Sequence, residues 1–579
     1  MLTPQWRDEV WSKLDQSWDI IIIGGGITGA GILREATRLG LKALLVEQRD
    51  FSWGTSSRSS KLVHGGIRYL KEGKLRLTLA SVQERERLME EGPGLIDPLG
   101  FLLATYKGDF PGKWTYGAGL TVYDLLALQW SHTYYSAADF EMLAPRIARK
   151  GLEGGWRYGD AQTDDARLVL RVIFEAVLAG GAALNYCRAD TLLREEGRVT
   201  GVKLQDQVTG RSAETRSRVV INATGAWADT LRAQVGASPR IRPLRGSHLI
   251  FAAWRFPIAQ AVSFLHPVDR RPVFIFPWEG ITLVGTTDLD HEQALDAEPH
   301  ITPEEVAYLM QVVEAHFPAL QLGLDDVIST FAGVRPVIDS GKTDPSKESR
   351  DHVVWNEAGL LTVTGGKLTT FRRIALDALK AAQTQIPSMP ELNDNMPVLN
   401  PVNTPLPNGN TLTRAQRRRL LGRYGAAAPA LVRAAQSGEL EPIPGTETLW
   451  AELRWAARSE GVAHLDDLFL RRTRIGLLLP EGGAALLEDA RRICQTELGW
   501  DDARWDTETA AYRELWKGCY SLPPRETIPD WKPTLLAAQE RREANLPRRR
   551  KKIAAGTIAG ILLGLATVVG VLYWRKRKS

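Results

Sequence analysis

Asp19 to Glu47 reads DIIIIGGGITGAGILREATRLGLKALLVE, and this stretch decides the fold. Ile20 to Ile23 is a short apolar run of the kind a parallel strand buried on both faces requires. Gly24, Gly25 and Gly26 follow, and Gly24, Gly26 and Gly29 stand in G-x-G-x-x-G spacing. The first glycine allows the tight turn, the second lets backbone approach a pyrophosphate, and the third lets helix pack on strand. The helix that follows presents free N–H groups and its positive dipole end to that pyrophosphate. A second apolar run, Ala43 to Val46, ends in Glu47, 18 residues after Gly29. A carboxylate at that distance suits a ribose hydroxyl. The stretch therefore predicts a dinucleotide site, and by itself it leaves FAD and NAD open.

The 579 residues are enough for two or three domains, and 44% apolar with 24% charged residues is the composition of a folded globular protein. The three cysteines, Cys187, Cys494 and Cys519, are too scattered for a disulfide framework or a zinc site and suit a reducing compartment. The net charge of +5 is carried by the tail: from Arg541 onward there are eleven Lys/Arg and one Glu, about +10, which leaves the body near −5. No basic groove follows from this, so nucleic acid is not an expected partner. Residues 1–18 place Trp6, Val10 or Trp11, Leu14 and Trp18 at helical spacing. They read as an amphipathic helix packed on its own domain, with a membrane surface as the alternative.

After Glu47 comes QRDFSWGTSSRSSKLVHGGIRYLKEGKLRL, too polar and glycine-rich for a core element. Thr55, Ser56 and Ser57 offer hydroxyls to a cofactor. His64 to Arg68 sets an imidazole and a guanidinium beside Gly65 and Gly66. Residues Leu75 to Glu90 read as a helix.

The pair GGGITGAGI and GTSSRSSKLVHGGIRYL resembles the FAD-dependent glycerol-3-phosphate dehydrogenases, within the glycine- and D-amino-acid-oxidase-like flavoproteins. The second motif is the more specific, and the resemblance runs over roughly 19 to 525. It implies an α/β fold: a Rossmann-like FAD-binding domain with an interleaved antiparallel substrate sheet, then a helical C-terminal domain. Asp164 to Ala179 fits a helix, and Val202 to Leu204 and Val219 to Ile221 fit strands. Asn222 to Gly225 is a small-residue turn suited to a second backbone contact with the cofactor. From Ile241 to Asp290 the pattern is strand-rich and resembles the family's substrate-covering sheet. The glycine pair Gly365-Gly366 separates an apolar strand from a helix, and its turn resembles the one that meets the flavin's pyrimidine edge.

Residue by residue, the resemblance implies that Gly24, Gly25, Gly26, Gly29, Glu47, Thr55, Ser56, Ser57, His64, Gly65, Gly225, Gly366, Lys367, Leu368 and Thr369 bind FAD. It implies that Arg68, Tyr69, His248, Arg335, Arg350 and Lys367 line the substrate pocket. Arginines bind phosphate oxygens in bidentate fashion, so this cation set suits a phosphate ester. His64, His248, Arg335 and Lys367 are the candidate catalytic residues. Either imidazole could take the hydroxyl proton, or Arg335 or Lys367 could lower that hydroxyl's pKa. The implied reaction is oxidation of sn-glycerol 3-phosphate to dihydroxyacetone phosphate by hydride transfer to FAD.

The domain reading is 1–385 for the FAD domain with its interleaved sheet, 386–410 for a Pro- and Asn-rich linker, 411–525 for the helical domain and 526–552 for a basic juxtamembrane linker. Within the helical domain, His464 and Arg471-Arg472 read as structural or interfacial. Residues 553–574 carry no charge over 22 positions between basic flanks and end in Tyr573-Trp574, which predicts a single C-terminal transmembrane helix. The expected localisation is therefore the inner membrane, by a single-pass anchor with the catalytic domain in the cytoplasm. The expected partners are the lipid bilayer and a membrane quinone, whose effective concentration an anchor would raise; a homodimer is left open. The competing readings are an FAD oxidase using oxygen (on glycerol 3-phosphate or on an amino or hydroxy acid), a nicotinamide-dependent reductase, and a flavoprotein scaffold without turnover. A single G-x-G-x-x-G unit disfavours the reductase.

Overall fold

A computed structural model of the chain describes residues 2–544, apart from 4, 67–74, 110–111, 128–129, 342–347, 349–350, 403 and 408–410. The apolar run after Asp19 forms strand Ser17–Ile23, paired in parallel with Ala43–Val46 on one side and Ser212–Asn222 on the other. Leu360–Gly365 extends the parallel set beyond Ser212–Asn222, and Ala182–Leu184 extends it beyond Ala43–Val46. An antiparallel strand, His352–Glu357, closes one edge. Ile20, Ile21 and Ile22 are fully buried because helices cover the parallel sheet. Each such side chain contributes about 1.5–3 kcal/mol by leaving water. Helix Ile27–Arg38 lies between helices Asp165–Leu178 and Phe371–Ala382. Gly31 permits the second contact, since a Cβ there would come 2.9 Å from the Phe371 ring.

The second sheet has ten strands and is antiparallel except where Ala261–Leu265 runs parallel to Ile96–Tyr106. Its strand Ile241–Ala252 pairs with Val327–Ile338 on one side and with Ile281–Gly285 on the other. Helix Pro303–His316 covers its outer face and starts in a capping box between Thr302 and Glu305. The interleaved order expected from the sequence is present: strands of the two sheets alternate along the chain.

The region after the linker is helical, with Arg414–Tyr424, Trp450–Ser459, Leu487–Leu498 and Asp502–Cys519 as its main elements. Leu453, Phe469 and Tyr512 share one apolar core with Phe101, Leu283 and Phe331 of the second sheet. Buried ion pairs fasten the helical region to the first sheet's side as well. Arg471 and Arg472 both bind Asp50, and Arg167 binds Glu460 at 2.6 Å. The arginine pair is thus interfacial, and His464 is held by Glu508 at 3.0 Å. At the N-terminus, helix Trp6–Trp11 packs on its own domain: Trp6, Val10, Leu14 and Trp18 join the core of the first sheet, and the Trp6 indole donates to the Ala183 carbonyl at 2.9 Å.

The membrane part of the expected fold is corrected. No helix among the described residues is long and apolar enough to cross a membrane. The longest, Asp502–Cys519, has 18 residues and carries acids and bases along its length, where a span needs about 20 apolar ones. The single-pass C-terminal anchor and the inner-membrane localisation expected from it are therefore not supported. The expected span at 553–574 lies outside the described residues.

Candidate active site

Strand Ser17–Ile23 ends at Gly24, whose φ of 116° is open to glycine and strained for other residues. A Cβ on Gly24 would sit 2.5 Å from the Ala223 carbonyl oxygen, and one on Gly29 would run into the Gly24 carbonyl oxygen. The turn therefore closes only with hydrogen at both positions, and helix Ile27–Arg38 begins directly after it. Glu47 braces this cradle, accepting from the Gly25 amide at 2.7 Å and the Arg49 amide at 2.9 Å. Burial pushes its carboxyl up despite those two bonds. Each carboxylate oxygen retains a second lone pair for a ribose hydroxyl. Ser56 hooks over the helix start, its hydroxyl accepting from the Ile27 amide at 2.9 Å. Thr55 instead donates to the Val334 carbonyl, next to Arg335. Ser57 is buried, and its carbonyl accepts from Lys61 at 2.5 Å and Arg474 at 2.8 Å. The Gly225 carbonyl, at the second turn, accepts from the Thr364 hydroxyl at 3.4 Å. Backbone amides at a helix N-terminus, a carboxylate after the second strand and side-chain-free walls fit a dinucleotide such as FAD.

Two turns meet beyond the cradle. Gly365 and Gly366 have φ of 79° and 76°, and a Cβ on them would come 2.6 Å from the Asp351 carbonyl oxygen and 2.5 Å from Ile374. Lys367 is extended, and Leu368–Thr370 then makes one turn of 3₁₀ helix into Phe371–Ala382. Leu368 packs on the first sheet's core. The Thr369 hydroxyl donates to the His64 carbonyl at 3.2 Å, so the His64-Gly65 turn lies against the Lys367 turn. The Gly65 amide is held by Asp160 at 3.0 Å, and Arg85 binds the same carboxylate at 3.0 Å. Burial outweighs Arg85 and pushes the Asp160 carboxyl up to about 6.

The second sheet supplies a third group. His248 stands opposite Gly285 and Phe331 in the strand register. Its ring stacks on Phe331 at 4.4 Å and 10°, and Gly285 gives it room on the neighbouring strand, where a Cβ would strike the imidazole. Its Nε2 lies 2.9 Å from the Ser60 hydroxyl. Burial first, then Arg335 and Lys61, hold the imidazole well below its ordinary value, so it is neutral near pH 7. Arg335 is half-buried and donates to Asp288 at 3.0 Å and to the Thr286 hydroxyl at 3.1 Å.

The structure thus brings together the glycine cradle with Glu47 and Ser56, then His64 and Gly65 with Thr369, and His248 with Arg335. Arg68, Tyr69 and Arg350 lie outside the described residues. Sequence reasoning missed Ser60, Lys61, Asp160, Asp165 and Asp288. Lys61 is fully buried, bound to Asp165 at 2.9 Å, and lowered to about 7 by burial and by Arg474, which shares the same carboxylate. The signal was present in the SSK of the hydroxyl-rich loop and in the Thr-Thr-Asp after strand Ile281–Gly285, but the partners are 104 and 47 residues away.

These features define an FAD-dependent oxidoreductase, and the family model described as FAD dependent oxidoreductase matches residues 19–372. A second model, the C-terminal domain of alpha-glycerophosphate oxidase, matches 376–505. The aerobic glycerol-3-phosphate dehydrogenase of Bacillus subtilis (strain 168) is 40% identical over 376 residues, 64% of this chain and 67% of that one. The Staphylococcus haemolyticus protein of the same name is 34% identical over 487 residues, 79% of this chain and 87% of that one. A solved glycerol-3-phosphate dehydrogenase from Bacillus halodurans, complexed with FAD, superposes with a TM-score of 0.72 at 27% identity, covering 90% of this chain and 98% of that one. The chain belongs to the FAD-dependent oxidoreductase family and, within it, to the FAD-dependent glycerol-3-phosphate dehydrogenases. FAD is its cofactor.

Proposed function

We propose that the protein oxidises sn-glycerol 3-phosphate to dihydroxyacetone phosphate and passes the electrons to a quinone. The observation that carries the substrate reading is the buried His248 on the same sheet face over which the Arg335 guanidinium reaches across Gly246. A phosphate ester needs a fixed cation at one end and a proton acceptor at the other, and this pair offers both. FAD, when bound, supplies the hydride acceptor. Arg335 binds the phosphate with charge-assisted hydrogen bonds, and Arg68 and Arg350 are assigned to the same anion by family resemblance. His248, neutral before substrate arrives, accepts the proton of the secondary hydroxyl. A bound phosphate offsets the influence of Arg335 on the imidazole and so makes it a better base than it is in the free enzyme. Lys367 and the amides of its turn are assigned by family resemblance to the flavin's pyrimidine edge, where they would stabilise negative charge on the reduced ring, and the His64 carbonyl is held against that turn by Thr369.

The acceptor reading rests on the relatives, which are named dehydrogenases. Its test is direct. Enzyme reduced by glycerol 3-phosphate under anaerobic conditions is mixed with a short-chain quinone or with oxygenated buffer. Fast reoxidation by the quinone and slow reoxidation by oxygen is the expected result. The reverse order would make the protein an oxidase.

A further inference from the structure

We propose that Asp288 is a positioning residue that sets the Arg335 guanidinium in its substrate-binding pose. The inference rests on the reading of Arg335 as the phosphate cation and adds to it a residue that acts through Arg335. Asp288 is buried, and its two carboxylate oxygens serve two arginines, Arg335 at 3.0 Å and Arg271 at 3.0 Å. Thr286 takes the other arm of Arg335 at 3.1 Å, and its own hydroxyl proton is directed to the Thr287 carbonyl at 3.1 Å, so its oxygen is left to accept. The guanidinium lies over Gly246. A Cβ there would strike it, and would come 2.6 Å from the Thr286 hydroxyl. The Thr286–Asp288 turn is itself fastened from beneath. The Thr287 hydroxyl donates to the buried Glu305 at 2.6 Å, and Glu305 also holds Ser247 and Arg245 of the sheet. A long, rotamer-rich side chain is thus held at two points by a turn anchored to a helix, which removes the ordering cost from the binding step.

A carboxylate beside a phosphate site also repels phosphate, so the proposal makes a signed prediction: positioning outweighs repulsion. In purified full-length flavoprotein, Asp288→Asn raises KM for glycerol 3-phosphate roughly tenfold or more, and weakens competitive inhibition by inorganic phosphate by the same ratio. The turnover rate falls much less, and the bound-flavin spectrum is unchanged. Arg271→Ala, which cuts the other bond of Asp288, leaves both constants within about twofold. If Asp288→Asn does not fold, Thr286→Val releases the second arm of Arg335 and raises KM about threefold. A KM at or below wild type in either variant, while Arg335→Ala raises it strongly, overturns the proposal and leaves the pocket reading standing. Arg271→Ala reproducing the Asp288→Asn defect would make Asp288 a fold tie and also overturn it. An unchanged KM in Arg335→Ala overturns both.

Discussion

The glycine cradle is shaped mainly by backbone, whereas the His248–Arg335 face proposed for substrate is made of side chains. At Gly24 and Gly29 what matters is the absence of a Cβ: the turn closes because carbonyl oxygens occupy the space a side chain would need. At His248 and Arg335 what matters is the presence of distant partners. Ser60 reaches the imidazole from 188 residues away, and Asp288 reaches the guanidinium from 47 away. The two regions should therefore fail differently when mutated: the cradle by losing the cofactor, the substrate face by losing rate or affinity with the cofactor still bound.

The largest effect is expected in the cradle. Gly29→Val drives a branched side chain into the Gly24 carbonyl, so the protein should purify without flavin absorbance; a yellow Gly29→Val protein would break the comparison. Next comes His248→Gln, which should keep the flavin and slow its reduction by roughly 10²- to 10⁴-fold, the usual range for a lost general base. Stopped-flow absorbance reads this directly. Arg335→Ala should keep the flavin and raise KM about 10- to 100-fold, since charge-assisted bonds are worth ~1.5–3 kcal/mol. A loss of flavin from either variant would mean that the two regions are not separable.

The smallest effect concerns Lys61, on the seam between them. Its ammonium is lowered from 10.5 to about 7 in the folded protein. The unfolded chain binds the proton more tightly, so stability rises with pH between about 7 and 10.5 and the penalty is fully present below 7. Lys61→Met leaves Asp165 paired with Arg474 at 2.6 Å and should flatten that rise. The difference in Tm between pH 7 and about pH 9 should shrink by a few degrees.

The same contrast explains what the sequence showed. The apolar runs of the first two parallel strands, the glycine turn and Glu47 lie within one 29-residue stretch, so local pattern sufficed. The sheet from Ile241 onward was legible as strands, and its site residues came from family resemblance to short motifs. Ser60, Lys61 and Asp288 were illegible because each looks like an ordinary loop residue until the fold supplies its partner. Thr55 has a partner the sequence did not show: its hydroxyl donates to the Val334 carbonyl, a bond that exists only because Val327–Ile338 packs there. The membrane expectation came from the composition of one tail segment, and no described helix provides a span.

In the proposed reaction a phosphorylated secondary alcohol reduces the flavin. Anaerobic stopped-flow mixing of the purified flavoprotein with glycerol 3-phosphate, and separately with glycerol and with a 2-hydroxy acid, tests it most directly. Rapid bleaching of the oxidised flavin band by glycerol 3-phosphate and little by the other two is the expected result. Bleaching by glycerol or the hydroxy acid at a comparable rate, or none by glycerol 3-phosphate, would contradict it.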